Sequence, residues 1–197
     1  VISIWDDSEN QYFTITVQDW SQSSAYRIGQ YRMQKTNADG SISRTTYQLK
    51  TGNDSSNAFT AADGANVMYF GLDGNDTITG GNMFSMLFGD NGNDILYAGS
   101  VGMRMRGGTG NDTLVSGTGS DVLNGGVGND VYVFSSGMGN DTIGASANNV
   151  NDEIVFNDSD FSLARSGNDL IFQYEDWSSD DITVTSSITL QSWYNYN

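Results

Sequence analysis

Five aspartates, Asp76, Asp94, Asp112, Asp121 and Asp130, stand at intervals of 18, 18, 9 and 9 residues, each closing a short segment rich in Gly, Asn or Ser. Short carboxylates held in tight glycine turns present oxygen to hard cations. The nine-residue frame behind them runs unbroken through eight units, from Ala62 to Val133. Position six carries the aspartates. Position eight is apolar throughout: Tyr69, Ile78, Leu87, Leu96, Met105, Leu114, Leu123 and Tyr132. Asp and Asn favour turns for purely local reasons, and Asp54, Asp63 and Asp73 read as turn residues of that ordinary kind. Five carboxylates in one frame with eight inward hydrophobes say far more than any one of them.

Other chemistries are poorly supplied. The chain has no histidine, cysteine or proline, which removes imidazole–zinc sites, Ser-His-Asp triads, disulfides and thiol catalysis. No G-x-S-x-G occurs, and the carboxylates are too numerous to single out an acid/base dyad, so the chain reads as no enzyme. With 24 acidic residues against 8 basic, the net charge is −16. Nothing in that balance could neutralise a nucleic-acid backbone, and an anionic membrane surface is disfavoured for the same reason. Only Glu9, Glu153 and Glu175 among the acids are glutamates, whereas an ordinary solubilising surface uses glutamate freely. No apolar run approaches a membrane span of about 18 residues. Starting at Val1, the chain reads as a piece of a larger parent.

The elements that must hold the aspartates are strands. Residues 1–60 alternate with period two and predict antiparallel β-structure: Ile2 to Trp5 with Tyr12 to Val17, then Tyr26 to Lys35 with Ile42 to Lys50 around the turn Asn37 to Gly40. Thr51 to Thr60 reads as a polar linker. Residues 61–143 form the repeat region, each unit a six-residue turn and a three-residue strand. Two units make one coil, so units 18 residues apart stack directly. One side then carries Asp76, Asp94, Asp112 and Asp130 in column. The other has Val67, Ser85 and Met103 in their place and regains a carboxylate only at Asp121. Ser136 to Ile143 is a last unit, out of register by two residues. Residues 144–197 return to strand-and-turn sequence, with strands expected at Glu153 to Phe156, Asp169 to Tyr174, Ile182 to Val184 and Ile188 to Trp193; they predict a β cap on the open end, since solenoid ends need covering.

The best units, Gly107 to Val115 (GGTGNDTLV) and Gly125 to Val133 (GGVGNDVYV), match the G-G-x-G-x-D-x-U-x nonapeptide, and the chain resembles RTX (repeats-in-toxin) proteins of the type I secreted class. A less specific resemblance lies in Ser166 to Leu170, Asp181 to Val184 and Ser192 to Tyr194, similar to segments flanking the last repeats of RTX exoproteins. The resemblance implies an all-β parallel β-roll flanked by antiparallel β-structure, with each calcium between two stacked turns. The lower turn gives the carbonyls of positions two and four and its aspartate; the upper gives the carbonyls of positions one and three and its own aspartate. Carried over, site one uses Leu72, Gly74 and Asp76 with Gly89, Asn91 and Asp94. Site two uses Asp90, Gly92 and Asp94 with Gly107, Thr109 and Asp112. Site three uses Gly108, Gly110 and Asp112 with Gly125, Val127 and Asp130. Across the roll, Gly117, Gly119 and Asp121 pair with Ser136, Met138 and Asp141 if the two-residue insertion permits. About three to five ions are expected.

The resemblance implies a calcium-binding module of a larger secreted bacterial protein, unfolded without calcium, folding in the extracellular medium, and so driving or following type I secretion. The competing reading is a recognition module of an RTX surface adhesin with a peptide, protein or glycan ligand. Ice binding is disfavoured, because position three reads Asp73, Asn91, Thr109 and Val127, too irregular for a flat water-ordering row. Val67, Met68, Phe70, Met83, Phe84, Met86, Phe88, Val101, Met103 and Arg104 gather on or near the degenerate coils, and some must point outward. Residues 1–60 are expected to fold over that patch, a partner groove being the alternative.

Overall fold

The computed structural model describes residues 2–6, 11–15, 27–36, 42–61, 64–135, 137–144, 151–157, 161–167, 169–176 and 183–190. Two antiparallel hairpins come first, β1 (Ile2–Asp6) with β2 (Gln11–Ile15) and β3 (Arg27–Thr36) with β4 (Ile42–Thr51). From β4 onward the chain winds between two parallel sheets. After β5 (Ala58–Thr60) come β6 (Val67–Asp73), β7 (Thr77–Thr79), β8 (Ser85–Asn91), β9 (Ile95–Tyr97), β10 (Arg104–Thr109) and β11 (Thr113–Val115). The roll continues through β12 (Val122–Val127), β13 (Val131–Phe134), β14 (Asn140–Ile143) and β15 (Glu153–Phe156). The even-numbered strands β4 to β14 make one sheet, the odd-numbered strands β5 to β15 the other. β16 (Phe161–Ser166), β17 (Asp169–Asp176) and β18 (Thr183–Leu190) extend the first sheet, β18 lying parallel to β14 and the others antiparallel. The protein is a parallel β-solenoid of about six turns and has no helix among the described residues.

The register explains the repeat. Thr77, Ile95, Thr113 and Val131 stand level in one sheet, and Met86, Arg104 and Val122 in the other. Each side chain at position eight therefore lies against its equivalent one coil away. All eight are 0–2% exposed and, with Phe59, Phe134 and Ile188, form the central core. Position eight fills the interior because a strand puts alternate side chains on opposite faces.

Three expectations need correction. Strands of the first sheet are longer than three residues, because positions one to three of the aspartate-bearing turns continue the preceding strand: Leu72 pairs with Asp90 and Asp73 with Asn91. Thr51 to Thr60 is no linker. It forms a complete coil edge, with Gly52 at position one, Asn57 at position six and buried Phe59 at position eight; β5 pairs in parallel with β7. One extra residue before the next turn hides it from a nine-residue frame. The separate strands expected at Ile182 to Val184 and Ile188 to Trp193 are a single one, Thr183–Leu190, and β16 is a strand that the alternation of residues does not announce. Ile182 and residues 191–193 lie outside the described residues, as does Asp63.

On the apolar side, Val67 and Met103 are fully buried, while Met83 is exposed. The outer face of the first sheet instead carries a second cluster, Tyr47, Leu49, Met68 and Met86, flanked by Phe70, Phe84 and Phe88. Phe70 stacks on Phe88 at 4.6 Å and Tyr47 meets Phe84 edge-on at 6.3 Å. β4 joins this patch by extending the sheet sideways, with Leu49 beside Met68.

Candidate metal centre

Position-six aspartates hold the coils together even before any ion is considered. Each accepts, through Oδ1, the backbone N–H of the equivalent residue one coil earlier. Asn57 donates to Asp76 at 2.7 Å, Asp76 to Asp94 at 2.7 Å, Asp94 to Asp112 at 2.8 Å and Asp112 to Asp130 at 2.9 Å. The ladder then leaves the repeats, Asp130 donating to Asp152 at 2.9 Å. Asp76, Asp94, Asp112 and Asp130 are at most 1% exposed, yet the second oxygen, Oδ2, of each has no hydrogen-bond partner. A buried acceptor left unmatched costs roughly 1–3 kcal/mol, more when ionised. These orphaned oxygens are what a cation would satisfy.

Backbone carbonyls converge on the same gaps. A Cβ on Gly71 would collide with Asp76 Oδ2 and the Gly89 carbonyl; Gly89 and Gly107 stand in the same relation to Asp94 with Gly107 and to Asp112 with Gly125. The position-one carbonyl of the upper turn thus faces down toward the lower carboxylate. Position-three carbonyls of Asn91, Thr109 and Val127 also face down, accepting the N–H groups of Gly74, Gly92 and Gly110 at 2.8–2.9 Å. Position-two and position-four carbonyls face up: Asp90 and Gly108 lie beneath the α-carbons of Gly108 and Gly126, and Gly74, Gly92 and Gly110 beneath those of Gly92, Gly110 and Gly128. Leu72 stands in register with Asp90 one coil above; the other residues named for sites one to three bring their oxygens together in gaps between coils, a set that fits a hard cation with 6–8 oxygen ligands. Among the described residues there is no group of three or more metal-ligating side chains, because each gap draws on two carboxylates and takes its other oxygens from the backbone.

Positive φ is needed at positions two and four. Gly108, Gly126, Gly110 and Gly128 supply it at 110–144°, whereas Leu72 and Asp90 adopt 80° and 73° at position two, a conformation that costs an L-residue roughly 1–2 kcal/mol. Asparagines at position five form a second ladder: Asn75, Asn93 and Asn111 each accept the N–H of the asparagine one coil later through Oδ1, at 2.8–2.9 Å. It needs no metal.

Across the roll, the two-residue insertion is absorbed and Asp121 donates its N–H to Asp141 Oδ1 at 2.8 Å. Asp141 Oδ2 is buried without a partner, while Asp121 Oδ2 accepts the Gly117 N–H at 3.1 Å. The Gly119 carbonyl lies beneath Gly139; Met138 is buried in the core, and Ser136 lies outside the described residues. Lower on that side no ion is needed. Met103 Sδ takes the Gly99 N–H at 3.3 Å, the position held by a carboxylate at Asp121, and Val67 and Ser85 are buried.

Burial raises these carboxyls, backbone N–H donors oppose it, and neighbouring carboxylates add to it for most. Asp112 and Asp141 are pushed up to about 7, and Asp94 and Asp121 to about 6, with Asp76 and Asp130 also raised. A folded pKa above the unfolded one means the folded chain binds more protons, so stability falls as pH rises from the unfolded value, near 4, through the folded one. With calcium chelated, acid should substitute for the ion, and far-UV circular dichroism should show more β-structure near pH 5 than near pH 7.5. A signal that is flat or falls on acidification contradicts this.

Residues 70–100 and 106–143 match the family model of the RTX calcium-binding nonapeptide repeat, in four copies. No curated protein matches the chain. Among solved structures it is similar to the crystal structure of an extracellular lipase from Serratia marcescens, at 15% identity and a TM-score of 0.26 over 66% of this chain. The chain spans 38% of that lipase's length.

Proposed function

From a chain that carries RTX calcium-binding nonapeptide repeats, we propose a calcium-driven folding module of a larger secreted protein. The observation that carries this reading is the column of buried carboxylates whose second oxygens have no partner. Sites one to three would use the residues named above, with a further ion between Asp121 and Asp141. At low calcium the stacked carboxylates repel one another and the glycine-rich turns have a large ordering entropy to overcome, so the chain stays unfolded. In a calcium-rich extracellular medium, binding energy becomes folding energy, and the roll forms once the parent chain is outside. The roll itself does no chemistry; an activity of the parent would belong to other parts of it.

Calcium titration of the chelated protein should convert a disordered circular dichroism spectrum into a β-rich one, and magnesium should not. Magnesium demands a smaller, near-ideal octahedron and gives up water reluctantly. A chelated spectrum identical to the calcium-loaded one would falsify the folding switch.

A further inference from the structure

We propose that the column contains a fourth inter-coil calcium site, outside the nonapeptide repeats, held by Asp130 from below and Asp152 from above. The proposal rests on the calcium reading of the column. Asp152 lies 22 residues after Asp130, not 18, and belongs to no repeat unit. The fold nevertheless brings it to position six of one more coil. Val131 to Phe134 pair in register with Glu153 to Phe156, and the Glu153 N–H bonds the Asp130 carbonyl at 2.8 Å, as the Val131 N–H bonds that of Asp112.

The Asp130 carboxylate repeats two features of those below it. Its N–H reaches Asp152 Oδ1 at 2.9 Å, and the residue is 0% exposed. Its Oδ2 is buried, unpartnered and set against Gly125, as Asp112 Oδ2 is against Gly107. Were Asp152 only a lid, this oxygen would stay buried and unmatched. An ion shared with Asp152 satisfies it and places two carboxylates around the gap, the same charge as in the three gaps below. Gly126 and Gly128 fill positions two and four of the lower turn.

The opposite end of the column is closed differently. Asn57 stands at position six there, but its Oδ1 accepts the Asn53 N–H at 2.9 Å and its Nδ2 donates to Asn53 Oδ1 at 3.1 Å. A neutral amide satisfied by its own loop needs no cation. The column therefore ends in an amide on one side and a metal-binding carboxylate on the other.

The test is the number of calcium ions on the full chain, by native mass spectrometry, for wild type, Asp152→Asn and Asp152→Ala. Asparagine keeps an oxygen for the Asp130 N–H but removes the charge. Asp152→Asn should keep the calcium-loaded circular dichroism spectrum and lose one ion; Asp152→Ala should lose the ion and loosen β15 as well. Equal counts for wild type and Asp152→Asn overturn the site while leaving the repeats' calcium binding intact. A wild type that binds no calcium overturns the functional reading itself. Should the variants not fold, anomalous diffraction from crystals of the calcium-loaded wild type decides: a calcium peak between Asp130 and Asp152 supports the site, and its absence with peaks lower in the column overturns it.

Discussion

Replacing Asp112 by alanine is expected to raise the calcium concentration at the folding midpoint roughly tenfold or more, a loss of about 1.4 kcal/mol or greater. Asp121→Ala should raise it far less. Asp112 has a carboxylate neighbour on both sides, Asp94 below and Asp130 above, and its unpartnered Oδ2 faces a gap lined by backbone carbonyls. Its loss removes one ligand from each of two gaps and strips the Asp94 N–H of its acceptor. Asp121 likewise accepts the Met103 N–H, but it has a carboxylate only above, at Asp141, and its Oδ2 is already engaged by Gly117. Only one gap is damaged, and the harm stays near the last coil, since each coil contacts only its neighbours. Circular dichroism titrations at fixed ionic strength, because exposed charge is screened by salt, will compare the two. A larger shift for Asp121→Ala would move the folding nucleus to the end of the roll.

Gly107→Ala should be worse than either, abolishing the calcium-dependent transition at millimolar calcium. A single methyl there would occupy the space of Asp112 Oδ2 and the Gly125 carbonyl, and neither can retreat. The carboxylate is fixed by the Asp94 N–H. The carbonyl belongs to β12, held in register on β10. Overpacking of even a permissive core typically costs 1–3 kcal/mol, and here it also blocks the gap that would supply binding energy. Gly144→Ala is the control: a Cβ there meets nothing closer than Asn124 Nδ2 at 3.5 Å, and stability should change by no more than about 0.5 kcal/mol. Equal calcium midpoints for the two variants would mean that the gaps are not where calcium acts.

The frame of nine made most of the roll legible, because an 18-residue coil copies its contacts and a repeated contact leaves a periodic trace. Where the period slips, the trace vanishes though the contact survives. Gly52 to Thr60 makes the same coil edge as Gly71 to Thr79, but stands 19 residues away and carries Asn57 for aspartate. Asp152 continues the column after 22 residues. Hydrogen-bond register, not spacing, admits both, and spacing is all a sequence shows. The pairing of Asp121 with Asp141 was legible as a possibility, and only the fold shows that the insertion at Phe134 and Ser135 is absorbed between stacked strands. Asn75, Asn93 and Asn111 have the look of routine turn residues; their bonds run between coils, where no local propensity points. Outside the roll, alternation marked the hairpins of β1 to β4 closely, but it could not tell that β4 would pair in parallel with β6 and extend the long sheet.

The aspartate ladder also gives the molecule a direction in time. Every rung runs from an N–H to an oxygen belonging to a residue 18 to 22 positions later in the chain. On this ladder each donor is completed by the C-terminal neighbour, whereas on the asparagine ladder each donor is completed by the N-terminal one. A chain threaded out of a narrow passage with its N-terminal end leading would expose the aspartate ladder's donors before their acceptors arrive, while the asparagine rungs would close at once. Threaded the other way, each emerging turn would find its aspartate acceptor already in place, and the buried carboxylate column could close one coil at a time like a ratchet.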